Sequence, residues 1–142
     1  MSDALARACA DAMLARDAAS RALGIAVEEA RAGYARAAMT LGEATVNGHG
    51  IAHGGVVFTL ADSAFAFACN SRNVPHVALQ CSISYLAPAR RGDRLVAEAQ
   101  ECGSGGRTGV YDVTVRRDGG DAVAVFRGVC YRISGTVLEG TR

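Results

Sequence analysis

The stretch HGGVVFTLADSAFAFAC, residues 53–69, is the most apolar part of the chain and decides the fold. Asp62 is the only formally charged side chain between Gly54 and Cys69. A carboxylate among valines and phenylalanines is costly to bury unless it is paired or has a chemical task. Two glycines and a histidine open the stretch, so a turn rich in backbone donors leads directly into a buried helix. The pattern predicts an active site, with a capped or salt-bridged structural Asp62 as the alternative.

The rest of the chain is predicted to form the secondary-structure elements that pack over this helix. Residues 2–22 carry apolar side chains at helical spacing and predict an amphipathic helix that ends at Gly24. After Pro75 the apolar period changes to two, which is typical of a half-buried strand. Glycine-rich breaks predict hairpins, and the last four strands in series predict an antiparallel meander. The predicted strands are residues 25–31, 34–40, 77–85, 94–101, 108–117 and 122–133, and the central helix is 54–70.

This order of elements predicts an α+β fold. An antiparallel sheet of about six strands, curled around the one buried helix, is the economical way to cover a helix that is apolar nearly all round. We expect a single domain over residues 1–142, long enough to bury a real core.

Composition excludes several function classes. The formal net charge is +1, so neither nucleic acid nor a membrane surface is predicted as a partner. The five cysteines are scattered and contain no C-x-x-C, which argues against a disulfide framework and favours a reducing compartment. No signal peptide and no apolar run of the ~20 residues that a membrane helix needs are found, which predicts a cytoplasmic protein.

Six positions near the central helix carry polar groups. Free N–H groups at a helix start suit a developing oxyanion. A carboxylate can activate water or attack a carbonyl directly. An amide side chain supplies a further donor or holds the water, so the set fits acyl transfer without a serine or cysteine nucleophile. The six positions are Asn47, His49, His53, Gly54, Gly55 and Asp62.

The spacing of two of these positions adds a constraint. Asp62 follows Gly54 by eight residues, which places them about 12 Å apart along a helix. That is too far for both to touch one carbonyl. If they cooperate, each must come from a different chain, which predicts an obligate dimer with shared sites.

The segment NGHGIAHGGVVFTLADSAFAFACNS, residues 47–71, resembles the signature of the hotdog-fold acyl-CoA thioesterases, in particular the PaaI type associated with phenylacetic acid degradation. The resemblance continues through ISYLAPA at 83–89, TGVYDV at 108–113 and FRGVCYRI at 126–133, and so covers nearly the whole chain. It implies a hotdog fold, homodimers with active sites between subunits that usually pair into homotetramers, and no cofactor.

The resemblance also implies roles for matching residues. Asp62 would be the general base or nucleophile, and the Gly54 N–H would polarise the thioester carbonyl. Asn47 and His53 would shape the oxyanion or water site, while Ala78 replaces a serine that orients water in some related enzymes. The implied substrate is an aryl-acyl-CoA such as phenylacetyl-CoA or hydroxyphenylacetyl-CoA. Residues expected to bind it, with arginines facing the CoA phosphates, are Gly55, Phe65, Arg91, Arg107 and Thr108.

Other interpretations stay open at this stage. His53 could be only a helix cap, and Phe65 could belong either to the core or to the wall of a substrate pocket. His49 and His53 would resemble two metal ligands on a helix, but they lie in a glycine-rich loop without a third ligand, so no metal is predicted. The alternative functions are a hydratase or dehydratase acting on an acyl thioester and a non-catalytic acyl-CoA sensor.

Overall fold

The computed structural model describes residues 3–139. Ser2 of the predicted N-terminal helix, and residues 1 and 140–142 of the predicted domain, lie outside the described residues. No helix within the described part is long and apolar enough to cross a membrane. The elements are α1 Ala4–Arg16, α2 Ala18–Ala22, β1 Ala26–Arg31, β2 Tyr34–Thr40, a 3-10 turn Glu43–Thr45, α3 Gly54–Cys69, β3 His76–Tyr85, β4 Arg94–Gly105, β5 Thr108–Arg117 and β6 Ala122–Arg132.

Six strands form one antiparallel sheet in the order β1-β2-β4-β5-β6-β3. The predicted sheet around a central helix is therefore confirmed. The predicted meander of the last four strands is wrong, because β3 pairs with β6 and not with β4. The helix α3 packs across all six strands and delivers the chain to the far edge of the sheet. From there the chain returns to place β4 beside β2, and only β4, β5 and β6 form a meander.

The helix α3 is buried against a face of the sheet that is lined by small side chains. Leu60, Phe65 and Phe67 on the helix are buried in the core. The facing strands β2 and β4 present small side chains, which let the helix backbone approach closely. These are the fully buried alanines Ala35, Ala37, Ala97 and Ala99.

The predicted helix over residues 2–22 is in fact two helices that meet at Asp17. The backbone N–H of Asp17 donates to the Leu14 carbonyl and ends α1, while its carboxylate accepts from the Ser20 N–H (3.0 Å) and begins α2. Aspartate favours such caps over a helix interior. The Ser20 hydroxyl is hydrogen-bonded to that of Ser63 on α3 (2.8 Å), so the break docks beside Asp62.

The two edges of the sheet differ in chemistry. The strand β1 has six residues and carries the charged side chains of Glu28, Glu29 and Arg31. The strand β3 has ten residues, HVALQCSISY, with no acidic residue and no arginine. A long uncharged edge is a template for pairing with another strand.

The prediction that β3 is half-buried is wrong for a single chain. Leu79 and Tyr85 are 62% and 52% exposed, and only Cys81 and Ile83 pack against the core. The cause is the edge position of the strand, together with a register shift between Ala78 and Gln80.

A close approach on β6 provides a test of this packing. A Cβ added at Gly128 would come within 2.7 Å of three ring carbons of Phe65, whose ring packs edge-on against Tyr111 and in a tilted arrangement against Phe126. We expect Gly128→Ala to lower the free energy of unfolding by about 1–3 kcal/mol, since the ring cannot move aside. Gly103→Ala on β4 is the control, because a Cβ there meets open space. Equal melting temperatures of the two variants by circular dichroism would contradict the packing.

Candidate active site

The start of α3 leaves four backbone N–H groups that the helix itself cannot satisfy, those of the cap and the first three helical residues. The His53 N–H donates to the Thr45 carbonyl (3.0 Å), and the Val56 N–H donates to the His53 carbonyl (2.9 Å). The Gly55 N–H donates to Nδ1 of His53 (2.9 Å), so His53 is the helix cap. Within residues 3–139 only the Gly54 N–H lacks an acceptor among these four.

Gly54 lines a cleft of about 520 Å³ together with Asn47 and Tyr85. The Oδ1 atom of Asn47 accepts from the N–H groups of His49 (2.9 Å) and Ile51 (3.4 Å), so the asparagine shapes the loop that borders the cleft. The remaining wall is mainly apolar and includes Ala52, Val57, Leu86, Pro88 and Val123.

Tyr85 is a site residue that the sequence analysis missed. Its hydroxyl donates to the Gly54 carbonyl (2.7 Å). Its ring lies over the glycine, so that a Cβ at Gly54 would stand 3.2 Å from the Tyr85 hydroxyl oxygen. Tyr85 stands in the ISYLAPA segment, and its alternation with Cys81 and Ile83 was the available signal that it faces the helix.

Asp62 lies two turns further along α3 and is half-buried. Within the described residues its carboxylate has no ion pair and no hydrogen bond. Burial raises the pKa of the Asp62 carboxyl above its ordinary value, and the negative charge of Asp17 raises it further. Burial also raises the pKa of the Cys81 thiol and the charge of Asp62 adds to this effect, in keeping with the packing of α3 against β3. The structural alternative, a salt-bridged or capping acid, has no partner in this part of the chain.

Within a single chain the two halves of the predicted site, Gly54 and Asp62, lie apart. The helix α3 is unbroken from Gly54 to Asp62, so the two residues are about 12 Å apart. Asn47 and Gly54 share the cleft, whereas His53 and Gly55 are exposed beside it and Asp62 lies outside it.

The residues expected to bind substrate are also dispersed. Phe65 is 1% exposed in the core, and Arg91 is exposed on the loop between β3 and β4. Arg107 and Thr108 line a second cleft of about 160 Å³ near the end of α3. Arg132, which the sequence analysis missed, lines the same cleft.

The second cleft is cationic. Arg72 in its wall is paired with both carboxylate oxygens of Glu101 (3.0 and 3.1 Å). Arg107 and Arg132 have no acidic partner within residues 3–139, and the Arg132 N–H donates to the Arg107 carbonyl (2.7 Å). The cleft therefore offers two uncompensated guanidinium groups.

The three histidines do not form a cluster. His49 is exposed in its loop, His53 caps α3, and Nδ1 of His76 is 2.8 Å from the Val74 carbonyl oxygen. In the described part of the chain, no group of three or more His, Cys, Asp or Glu side chains could hold a metal ion.

Comparison with known proteins identifies the class of this fold and site. The profile of the thioesterase superfamily matches residues 49–124. The chain therefore belongs to the thioesterase superfamily, and the predicted hotdog fold and thioester hydrolase class are confirmed.

Within that superfamily the chain is similar to PaaI. It is 44% identical over 128 residues to the acyl-coenzyme A thioesterase PaaI of Escherichia coli K12, covering 90% of this chain and 91% of the relative. The E. coli PaaI structure matches with a TM-score of 0.90 and covers 92% of this chain and 95% of that one. A Streptococcus mutans protein solved bound to acetyl CoA matches with a TM-score of 0.74 at 28% identity, covering 78% and 89% of the two chains.

The raised pKa of Asp62 predicts a cost in stability. A carboxyl whose pKa is higher in the folded state stabilises the fold when protonated, and this contribution is lost as pH rises through the folded-state pKa. At pH 7 the ionised Asp62 therefore destabilises the protein. We expect Asp62→Asn to melt at a higher temperature than wild type at pH 7, with the difference shrinking toward about pH 4, near the ordinary pKa of aspartate.

Scanning calorimetry at both pH values measures this effect. Asp11→Asn is the control, because Asp11 forms only an exposed pair with Arg7. A lower melting temperature for Asp62→Asn than for wild type at pH 7 would contradict the cost assigned to the charge.

Proposed function

We propose that this protein hydrolyses acyl-CoA thioesters to a free acid and CoA at sites shared between two chains. The observation that carries the proposal is the Gly54 N–H, which stands at the start of a buried helix and has no acceptor in the described part of the chain. A thioester carbonyl oxygen gains negative charge as it is attacked, and a free N–H at the positive end of a helix dipole stabilises that charge. The E. coli relative carries the name of an acyl-CoA thioesterase, which supports the same chemistry.

Asp62 supplies the second half of the reaction. As a general base it takes a proton from water while the water oxygen attacks the carbonyl carbon. The C–S bond then breaks and the CoA sulfur leaves with a proton. As a nucleophile its carboxylate attacks the carbonyl carbon, the C–S bond breaks and CoA leaves as the thiolate. Water then hydrolyses the resulting mixed anhydride, which releases the acid and restores the Asp62 carboxylate. Either role is favoured by a carboxylate that burial has made more basic and that no cation within residues 3–139 neutralises.

The edge strand β3 supports a dimer with shared sites. Pairing of two β3 edges would continue the sheet across both chains and cover the exposed Val77 and Leu79. Because Asp62 lies near β3 and the Tyr85 end of β3 contacts Gly54, antiparallel pairing would bring Gly54 of one chain toward Asp62 of the other. Association of dimers into a homotetramer is part of the same proposal and rests on the family resemblance.

The two clefts suit the two parts of an acyl-CoA. The mainly apolar cleft beside Gly54, of about 520 Å³, has room for an aryl-acyl group such as phenylacetyl or hydroxyphenylacetyl. The uncompensated Arg107 and Arg132, beside Thr108, suit the CoA phosphates because guanidinium binds phosphate bidentately. Arg91 is a further exposed candidate for the same phosphates.

Asp62→Asn tests the chemistry, because it keeps the shape of the side chain and removes the base. We expect its kcat to fall at least about 100-fold, in line with general-base contributions. The measurement is release of free CoA thiol from phenylacetyl-CoA, hydroxyphenylacetyl-CoA and a panel of alkyl acyl-CoAs. Asp11→Asn should keep the wild-type rate. An Asp62→Asn enzyme as fast as wild type would overturn the mechanism.

Gly54→Pro tests the oxyanion donor, because it removes the N–H at the first position of α3. Proline is well tolerated there, and the extended backbone of His53 (φ −63°, ψ 131°) suits a residue before proline. Gly54→Ala is the matched control, since it adds the same Cβ and keeps the N–H. We expect Gly54→Pro to lose about 100-fold in kcat and Gly54→Ala to lose less.

Co-expression of differently tagged Gly54→Pro and Asp62→Asn chains tests the shared site. A mixed dimer holds one site with both defects and one intact site, so random mixing should restore about one quarter of wild-type activity. No recovery in purified mixed dimers would show that each site is formed within one chain.

A further inference from the structure

The Gly54 N–H is useful only if its direction is fixed. Glycine has the most conformational freedom of any residue, and Gly54 stands at the first position of a helix, where the backbone is held least. Stabilisation of an oxyanion depends on donors that already point at the developing charge, with no reorganisation during the reaction. Contacts from outside the helix backbone that restrict Gly54 further therefore matter for the proposed site.

The structure holds Gly54 from two directions. On one side Nδ1 of the His53 ring accepts a hydrogen bond from the N–H of Gly55, the residue that follows Gly54 (2.9 Å). On the other side the Tyr85 hydroxyl donates to the Gly54 carbonyl (2.7 Å), and the ring covers the place where a side chain would stand. The two contacts fix both ends of the Gly54–Gly55 peptide unit. The preceding peptide unit carries the free Gly54 N–H, and its His53 carbonyl accepts from the N–H groups of Val56 (2.9 Å) and Val57 (3.1 Å).

We infer that Tyr85 is a positioning residue, which holds Gly54 so that its N–H points toward the thioester carbonyl. The inference rests on the proposed hydrolysis and adds a residue whose role the motif does not reveal. Tyr85 touches the backbone of the donor and acts through it.

The location of Tyr85 on β3 links its hydrogen bond with Gly54 to the formation of the dimer. Tyr85 is the last residue of β3, the strand whose outer edge is unpaired within the described chain. Pairing of β3 with a second chain would order this strand and with it the tyrosine that fixes the oxyanion donor. The strand β3 would then do two things: it would bind the second chain, and through Tyr85 it would fix the Gly54 half of the site.

Tyr85→Phe is the primary test, because it keeps the ring and removes the hydroxyl. Loss of a direct oxyanion donor costs 10²–10³ in kcat, so loss of a residue that positions the donor should cost less, about 10-fold. We expect KM for the best acyl-CoA to stay within about two-fold, since the ground state makes little use of an oriented donor. Tyr131→Phe on β6 is the matched control, because Tyr131 is partly exposed and its hydroxyl has no hydrogen-bond partner in the described part of the chain.

A double-mutant cycle with Gly54→Ala separates positioning from a general structural effect. The added Cβ stands 3.2 Å from the Tyr85 hydroxyl oxygen, so Gly54→Ala disturbs the same contact that Tyr85→Phe removes. Positioning through Gly54 predicts that the double variant loses clearly less activity than the product of the two single losses. Independent, multiplicative losses would overturn the inference. All rates are taken at a temperature where circular dichroism shows each variant folded.

The outcomes distinguish this inference from the proposed function. If wild type releases no thiol from any acyl-CoA, or if Asp62→Asn stays active, the proposed function fails. If wild type is active, Asp62→Asn is inactive and Tyr85→Phe keeps the wild-type kcat, only the role of Tyr85 fails. A lowered kcat at unchanged KM for Tyr85→Phe, with coupling to Gly54→Ala, supports it.

Discussion

The hydrogen bond from the Gly55 N–H to Nδ1 of His53 decides which backbone group stays free at the start of α3. A helix start must satisfy or expose its first N–H groups, and the cap and loop satisfy all of them here except that of Gly54. The His53 ring reaches the second helical N–H and not the first, as N-cap side chains do in general. The free donor is therefore a consequence of how the helix begins.

The burial of α3 under six strands gives Asp62 its properties. The sheet removes water from the helix, and no cation within residues 3–139 compensates the carboxylate, so its pKa rises. A neutral side chain would serve the fold better at this position. A charge that the fold keeps at a cost in stability supports the role proposed for Asp62, because strain of this kind concentrates where chemistry is done. The apolar edge of β3 then offers the route by which this carboxylate can meet a donor from another chain.

Most secondary structure could be predicted because local periodicity is strong in this chain, and the bounds of α3, β2 and β5 follow it closely. The failures have non-local or competing causes. The position of β3 depends on where α3 leaves the sheet, and the break at Asp17 depends on a cap that competes with helix continuation. Phe65 could not be assigned to core or pocket from sequence, because both environments select the same apolar side chain. Tyr85 and Arg132 were missed because their roles arise from contacts with residues distant in the chain.

The sequence by itself determined the family, the buried helix, the isolated Asp62 and its eight-residue distance from Gly54, because these depend on residue identity and on the fixed rise of a helix. Only the tertiary structure decided that Gly54 carries the free N–H, that Tyr85 holds it, and that β3 is an exposed edge. Hydrogen-bond partners and strand order join residues that are far apart in sequence, and local patterns carry no record of such pairings.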